Sequence, residues 1–296
     1  MSRTALILLG IALASSIGVA CAETATTADV MESLEDSDWR RPDPLDLLYM
    51  DLPNGTVIIE LAPDFAPASV ANIRTLVREK YFDGLAIIRS QDNYVVQWGD
   101  PTEEEADARS IGSAKSTVAA EFSRSVDGIE LVEIKSNDAY ADRVGFANGF
   151  PVGSDGKQLW LSHCYGMVGI ARGNELDSGN GTSLYVVTGH APRHLDRNIT
   201  LAGRVLSGIE LLTTLPRGNG PLGFYETADE RTPIVRSRLG SDLDDKNSLD
   251  IKVLRTDTDA FSDYVKSRTF RHEAWFTEPT GRIEICNITP PVRVAP

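Results

Sequence analysis

Basic residues are scarce in this sequence. Its 296 residues include 29 lysines and arginines against 43 aspartates and glutamates, which gives a formal net charge of -14 at pH 7. Proteins that bind nucleic acid or anionic membrane surfaces need a basic surface, and the chain has no dense run of Lys or Arg. We therefore expect no nucleic-acid partner. Apolar residues make up 42% of the chain, which is the composition of a globular protein with a substantial core.

Long apolar runs are also scarce, and the one that is present lies at the N-terminus. Arg3 precedes the run ALILLGIALASSIGVA, and a small-x-small triplet ending at Ala22 follows it. This pattern is typical of a secretory signal peptide, so we predict that residues 1–22 are cleaved and that the mature protein is periplasmic, without a membrane span. A membrane anchor is one alternative. A lipoprotein acylated at Cys21 is another, but Gly18 stands where such signals normally carry a larger aliphatic residue.

Cysteine is rare as well, with three in the chain. Removal of the signal peptide would leave Cys164 and Cys286. An oxidising compartment permits a disulfide between them, and two separate buried thiols fit equally well, because the sequence says nothing about their distance. His163, Cys164, His190 and His194 could suggest a metal site. No tight ligand spacing supports one, and we expect neither a metal nor a cofactor.

The chain divides by composition into a polar N-terminal stretch and a patterned domain. Residues 23–44 are polar and acidic and predict a flexible linker, and residues 45–240 form the main domain. Asn54-Gly55 stands between two apolar runs, which predicts a hairpin. The stretch after it predicts a helix, because its apolar residues recur at helical spacing. Residues 84–100 are interpreted as two more strands.

A long, mixed segment interrupts this domain at residues 101–165. Two short strands are predicted in STVAAEFSRS and GIELVEI, and DRVGFANGFPVGSDGKQ is rich in turn residues. Further strands follow, and residues 241–296 are predicted to be a C-terminal extension. The hairpins, with helices few and set apart from the strands, favour a mostly β architecture. We predict a closed antiparallel β-barrel with a few flanking helices, since closure removes exposed strand edges.

The segment GLAIIRSQDNYVVQWGD, residues 84–100, places polar side chains at the ends of two apolar strands. Arg89 closes the first strand and Gln97 lies near the end of the second. Most arginines at such positions are solvated surface charges. Val95 and Gln97 share one face of a strand at a period of two, so adjacent strands can bring Arg89 to the same surface.

This segment resembles the signature of the cyclophilin-type peptidyl-prolyl isomerases, and the resemblance extends over roughly residues 47–239. The family carries a Phe-His-Arg run, a turn, an aromatic, an aliphatic and then Gln-x-Gly-Asp. The resemblance implies that Arg89 is the catalytic arginine and that Gln97, eight residues later, is the active-site glutamine. It places Tyr94 and Val95 in the proline pocket.

Three downstream segments extend the resemblance, namely GMVGIARG, GNGTSLYVVT and HLDRNITLAGRV. They imply six further substrate-binding positions. These are Ala171, Arg172, Ser183, Tyr185, His194 and Leu195. Several depart from the family pattern, which has asparagine at 172, glutamine at 183, phenylalanine at 185, tryptophan at 194 and histidine at 199. Such a wall is more polar than usual and is expected to alter turnover and substrate preference more than the fold.

The function implied by the resemblance is non-covalent, arginine-assisted isomerisation of X-Pro bonds in extended or unfolded exported polypeptides, without a cofactor. Two other classes stay open. The same barrel could be a peptide-binding, chaperone or scaffold module with little turnover, because the pocket wall is altered and both the insertion and the extension are long. A hydrolase triad could be drawn from Ser183, His194 and Asp196, but the nucleophile-elbow motif is missing.

Overall fold

The computed structural model describes residues 25–102, 107–244 and 248–295. The predicted signal peptide, with Cys21, lies outside these residues. Within the described ranges, every helix is too short or too polar to cross a membrane.

The described residues form short helices and many short strands. The helices are α1 Thr27–Ser33, α2 Pro67–Arg78, α3 Glu210–Thr213 and α4 Asp259–Thr269. The strands are β1 Trp39–Arg40, β2 Leu47–Leu52, β3 Gly55–Leu61, β4 Ala86–Ser90, β5 Val95–Gly99, β6 Arg124–Ser125, β7 Val132–Glu133, β8 Arg143–Ala147, β9 Phe150–Ser154, β10 Gln158–Leu161, β11 Met167–Ile170, β12 Leu184–Val187, β13 Leu201–Ser207, β14 Arg236–Leu239, β15 Asp250–Leu254 and β16 Val292–Ala295.

Eight of these strands form one curled antiparallel sheet in the order β14-β2-β3-β13-β11-β12-β5-β4. Residues just before β14 reach the opposite edge, where Ile234 N–H donates to Leu85 O at 2.7 Å and Ile87 N–H donates to Thr232 O at 2.9 Å. These hydrogen bonds link the start of β4 to the residues before β14, and the edge strands β4 and β14 are not themselves paired. The predicted mostly β architecture with flanking helices is confirmed in the form of a curled half-barrel.

Local sequence signals explain the first half of this sheet. β2 and β3 pair as a hairpin across Asn54-Gly55, as predicted. Helix α2 begins at Pro67, which suits the first helical position because proline lacks the N–H that would be unpaired there. The helix turns one apolar face, including Ile73 and Leu76, into the core that fills the curled sheet.

The insertion has a sheet of its own, in the order β6-β10-β9-β8-β7. The predicted short strands at β6 and β7 are present. The turn-rich segment between 142 and 158 differs from the prediction, because it forms the β8–β9 hairpin. Asn148 and Gly149 at its tip have φ angles of 51° and 87°. Both residue types tolerate positive φ, which a two-residue hairpin turn requires.

Residues 25–44 are ordered and pack against the rest of the protein, unlike the predicted flexible linker. Val30 of α1 and Trp39 of β1 are buried. β1 joins β15 and β16 in a three-stranded sheet. A capping box between Thr26 and Asp29 begins α1 locally, but its buried residues find partners only in distant segments.

The C-terminal extension shares a core with the insertion and the N-terminal segment. Phe146 of the insertion packs edge-on against Phe261 of α4, with ring centroids 5.1 Å apart. Val30, Trp39, Leu161 and other apolar residues belong to the same cluster. The N-terminal segment, the insertion and the extension therefore build a second packed layer on the outside of the curled sheet.

Candidate active site

Strands β4, β5, β12 and β11 present a row of side chains on the outer face of the curled sheet. Val96 and Trp98 point into the central core, so Val95 and Gln97 lie on the opposite face of β5. Arg89 is the register partner of Gln97, and Gln97 is the register partner of Tyr185 on β12. A register shift between Ile87 and Arg89 marks a β-bulge, a device that re-aims the side chain next to it.

The Arg89 guanidinium is held by three acceptors. Its Nε donates to Leu222 O at 2.7 Å and its Nη1 to Gln97 Oε1 at 3.1 Å, while Nη2 donates to Gln91 Oε1. Its Cζ lies 5.7 Å from the ring centroid of Tyr94 and 5.3 Å from that of Phe224. The cation is therefore fixed in position between two aromatic rings.

The charge of Arg89 has no carboxylate partner among the described residues, since its acceptors are amide and carbonyl oxygens. Burial lowers the pKa of Arg89 from its usual value of 12.5. An arginine nevertheless stays charged at neutral pH. A guanidinium has five N–H donors, and three are used here, so two remain for a further acceptor.

Gln97 is oriented from its other side by Ser183. The Gln97 Nε2 donates to Ser183 Oγ at 3.0 Å, and Ser183 Oγ donates to Trp98 O at 3.3 Å. The glutamine oxygen is thereby directed at Arg89. The residue that departs from the family's usual glutamine thus supports the position of Gln97.

An apolar cluster lies beside the arginine on the same face. Val95, Tyr185 and Val187 are buried, and Tyr94 and Ile199 pack against them partly exposed. The arrangement combines a fixed cation with an apolar surface.

The remaining predicted site residues lie around this centre with different contacts. Ala171 donates its backbone N–H to Ser183 O at 2.9 Å. The Arg172 guanidinium is bound to backbone carbonyls. Its Nε donates to Asn198 O, and its Nη1 donates to two carbonyls of its own loop. Leu195 is half-buried and His194 is exposed in the 3-10 turn Arg193–Leu195.

Sequence reasoning missed the segment that covers Arg89 from the other side. Residues 217–225 run beside β4, where Gly218 N–H donates to Ser90 O and Tyr225 N–H donates to Ile88 O. Leu222 in this segment has a φ of 57° and is 66% exposed. The run RGNGPLGF signals a turn but not its partner, so only the fold connects it with Arg89.

In the described part of the chain, the side chains are not arranged as a metal site or as a hydrolase triad. No group of three His, Cys, Asp or Glu side chains there is arranged to hold a metal ion. Cys164 forms a disulfide with Cys286. Asp196 bonds to His163 and not to His194, and Ser183 bonds to Gln97 and Trp98 O, so the hydrolase triad is not assembled.

Comparisons with known proteins identify the family of this chain. The family model described as "Cyclophilin type peptidyl-prolyl cis-trans isomerase/CLD" matches residues 47–236. A "Probable peptidyl-prolyl cis-trans isomerase" of Brucella suis is 26% identical over 184 residues, covering 60% of this chain and 74% of that protein. The crystal structure of cyclophilin AquaCyp293 from Hirschia baltica superimposes with a TM-score of 0.71 at 26% identity, covering 92% of this chain and 98% of that one. The chain therefore belongs to the cyclophilin-type peptidyl-prolyl cis-trans isomerase family.

Proposed function

We propose that this isomerase accelerates rotation about X-Pro bonds of exported polypeptides, with Arg89 as the donor that stabilises the twisted amide. The observation that carries the proposal is the half-buried Arg89 guanidinium, which is fixed beside the apolar cluster. Among the described residues it has no carboxylate partner, and two of its N–H donors are unused. Neither a metal nor a cofactor is required.

The chemistry follows from the amide bond itself. Partial double-bond character opposes rotation with a barrier of about 18–20 kcal/mol. Twisting the bond removes that character and makes the prolyl nitrogen a better hydrogen-bond acceptor. A donor that is already in place therefore binds the twisted state more strongly than the planar one, which is the condition for catalysis.

The surrounding residues hold the substrate in this geometry. In the proposal, Tyr94, Val95, Tyr185 and Leu195 form the proline pocket and exclude water from the ring. Gln97 orients a substrate backbone group. Because Gln97 is held between Arg89 and Ser183, its amide is pre-organised and does not have to be ordered when the peptide binds.

Exchange NMR of a short X-Pro peptide tests the role of Arg89 without a coupled protease. We expect the mature protein to accelerate exchange. Arg89→Ala should lower kcat by a factor of about 10²–10³, which is the usual effect of removing one pre-organised donor. Arg143→Ala is the matched control, since Arg143 is exposed and paired with Glu133 on the insertion. Equal rates for wild type and Arg89→Ala would contradict the proposed mechanism.

A peptide-binding module with little turnover is the second candidate. It is favoured by the altered wall, where Ser183 occupies an amide N–H of Gln97 and the Arg172 guanidinium is bound to carbonyls. In that case the folded wild type would bind X-Pro peptides, seen as chemical-shift changes, without accelerating their exchange.

We also propose that residues 1–22 direct export to the periplasm and are then removed. The Cys164–Cys286 disulfide supports an oxidising compartment, where such bonds persist. Cell fractionation and mass spectrometry of the mature N-terminus test this. A chain beginning at Glu23 is expected, an acylated Cys21 would show a lipoprotein, and an intact N-terminus in the cytoplasm would refute export.

A further inference from the structure

A line of buried polar side chains runs from the apolar cluster into the insertion. Tyr185 Oη lies 2.9 Å from His163 Nε2, and His163 Nδ1 lies 2.8 Å from Asp196 Oδ1. The Arg193 Nε donates to Asp196 Oδ2 at 2.5 Å. Its two terminal nitrogens donate to the two carboxylate oxygens of Asp138, at 2.9 and 3.0 Å. Each of these side chains is at most 5% exposed.

The hydrogen-bond directions along this line are set by its members. Asp196 accepts from the backbone N–H of His163, and the same carboxylate oxygen faces Nδ1, so Nδ1 is the ring nitrogen that donates to Asp196. Nε2 is then the acceptor for Tyr185. Burial raises the pKa of Tyr185 far above its usual value of 10, so the phenol stays protonated and its O–H donates a hydrogen bond to His163 Nε2.

The members of the line come from distant parts of the chain. Tyr185 lies on β12 of the curled sheet. His163 and Asp138 belong to the insertion, and Arg193 and Asp196 belong to the turn before β13. The insertion therefore reaches the apolar cluster of the site through the His163 side chain.

We propose that His163 is a positioning residue that fixes the Tyr185 ring as a wall of the proline pocket, so that the insertion completes the substrate site. The proposal rests on the proposed function, because it needs Tyr185 to contact the prolyl ring. The packing leaves the ring a defined place. A Cβ added to Gly169, the register partner of Tyr185, would lie 2.2 Å from Tyr185 Cζ, so the ring lies directly on that glycine.

The energetic reason is that a buried polar group is costly when its partner is missing. Removing only the imidazole leaves the buried Tyr185 hydroxyl without an acceptor, and the ring is then free to turn toward other partners. Removing only the hydroxyl leaves His163 Nε2 without a donor. Removing both is expected to do less harm than the two single losses combined.

A double-mutant cycle of Tyr185→Phe and His163→Leu in the mature protein tests this coupling, with kcat and KM measured by exchange NMR on an X-Pro peptide. We expect each single variant to lower kcat/KM about tenfold, mainly by raising KM, and the double variant to recover most of that loss. His163→Gln should rescue part of the loss, since its amide can both donate to Asp196 and accept from Tyr185.

Controls separate this role from general destabilisation. Tyr264→Phe removes the same atom from another buried tyrosine, whose hydroxyl donates to Thr289 O at 3.2 Å, and should leave kcat/KM unchanged. Melting curves of all variants identify any that do not fold.

The outcomes distinguish the two proposals. A wild type that does not accelerate exchange overturns the proposed function. If the wild type is active and depends on Arg89, but Tyr185→Phe has wild-type kcat/KM or the two effects simply multiply, His163 does not position the pocket. Coupling seen only in melting temperature, and not in KM, also overturns the inference.

Discussion

Removing the Cys164–Cys286 disulfide should destabilise the half-barrel as well as the extension. The bond joins residues separated by 122 positions, with Cα atoms 4.8 Å apart. Strands β11 to β14 lie between the two cysteines, and they are four of the eight strands of the curled sheet. The cross-link therefore restricts the unfolded chain across half of that sheet.

The size of the effect follows from the loop length. For a closed loop of this length, the chain-entropy relation gives about 5 kcal/mol of free energy of unfolding at 25 °C, and native disulfides typically contribute about 2–5 kcal/mol. We expect a loss in this range for the double variant Cys164→Ala and Cys286→Ala, with some added cost because Cys164 is a buried member of the second core.

Guanidinium unfolding of three samples measures this loss: oxidised wild type, wild type reduced under denaturing conditions, and the double variant. The reduced wild type keeps both sulfur atoms, so it separates the loss of the cross-link from the loss of volume. The reasoning is refuted if all three unfold in one cooperative transition with free energies within 1 kcal/mol of each other.

Two further predictions concern charge and packing. Glu60 is buried between Arg204 and Arg40, and although burial opposes ionisation, the two arginines hold its pKa below the usual 4.5. Its stabilising contribution is therefore present above about pH 4.5 and is lost as the pH falls through the lower folded pKa. Glu60→Gln should lower the free energy of unfolding by about 3–5 kcal/mol at pH 7, because it leaves two cations unpaired. The variant should also lose less stability than wild type as the pH falls. An equal loss in denaturant titrations between pH 7 and pH 3 would contradict this. Gly169→Ala should push the Tyr185 ring off its place and lower kcat/KM at least about tenfold, at a stability cost of about 1–3 kcal/mol. Gly173→Ala is its control, since a Cβ there meets nothing within 4 Å, and equal kcat/KM for the two variants would argue against a pocket role for that ring.

The insertion and the extension are packed parts of the protein and not separate appendages. They share a core and are cross-linked by the Cys164–Cys286 disulfide. His163 of the insertion forms a hydrogen bond with Tyr185 of the apolar cluster. The match to the Hirschia baltica cyclophilin covers 92% of the chain, which is more than the span of residues 47–236, and so it reaches the C-terminal extension as well as the domain that holds the insertion. The added segments are thus part of one architecture shared with that protein.

Short-range patterns in the sequence were sufficient to predict the first hairpin, helix α2 and the two strands that hold the candidate site residues. The Asn54-Gly55 turn, the helical spacing of α2 and the alternation of β5 all depend on neighbours within a few residues. Arg89 and Gln97 could be paired from sequence because their strands are joined by a short turn, which leaves little freedom of register.

Only the tertiary structure decided which distant residues complete the site and which segments pack. Leu222 lies 133 positions from Arg89, and Asp196 lies 33 positions from His163. No local period links such pairs, because their contacts arise when whole strands and loops close over each other. The same holds for Val30 and Trp39, whose isolated apolar side chains in an acidic stretch predict a linker until the insertion and the extension supply the surface that buries them.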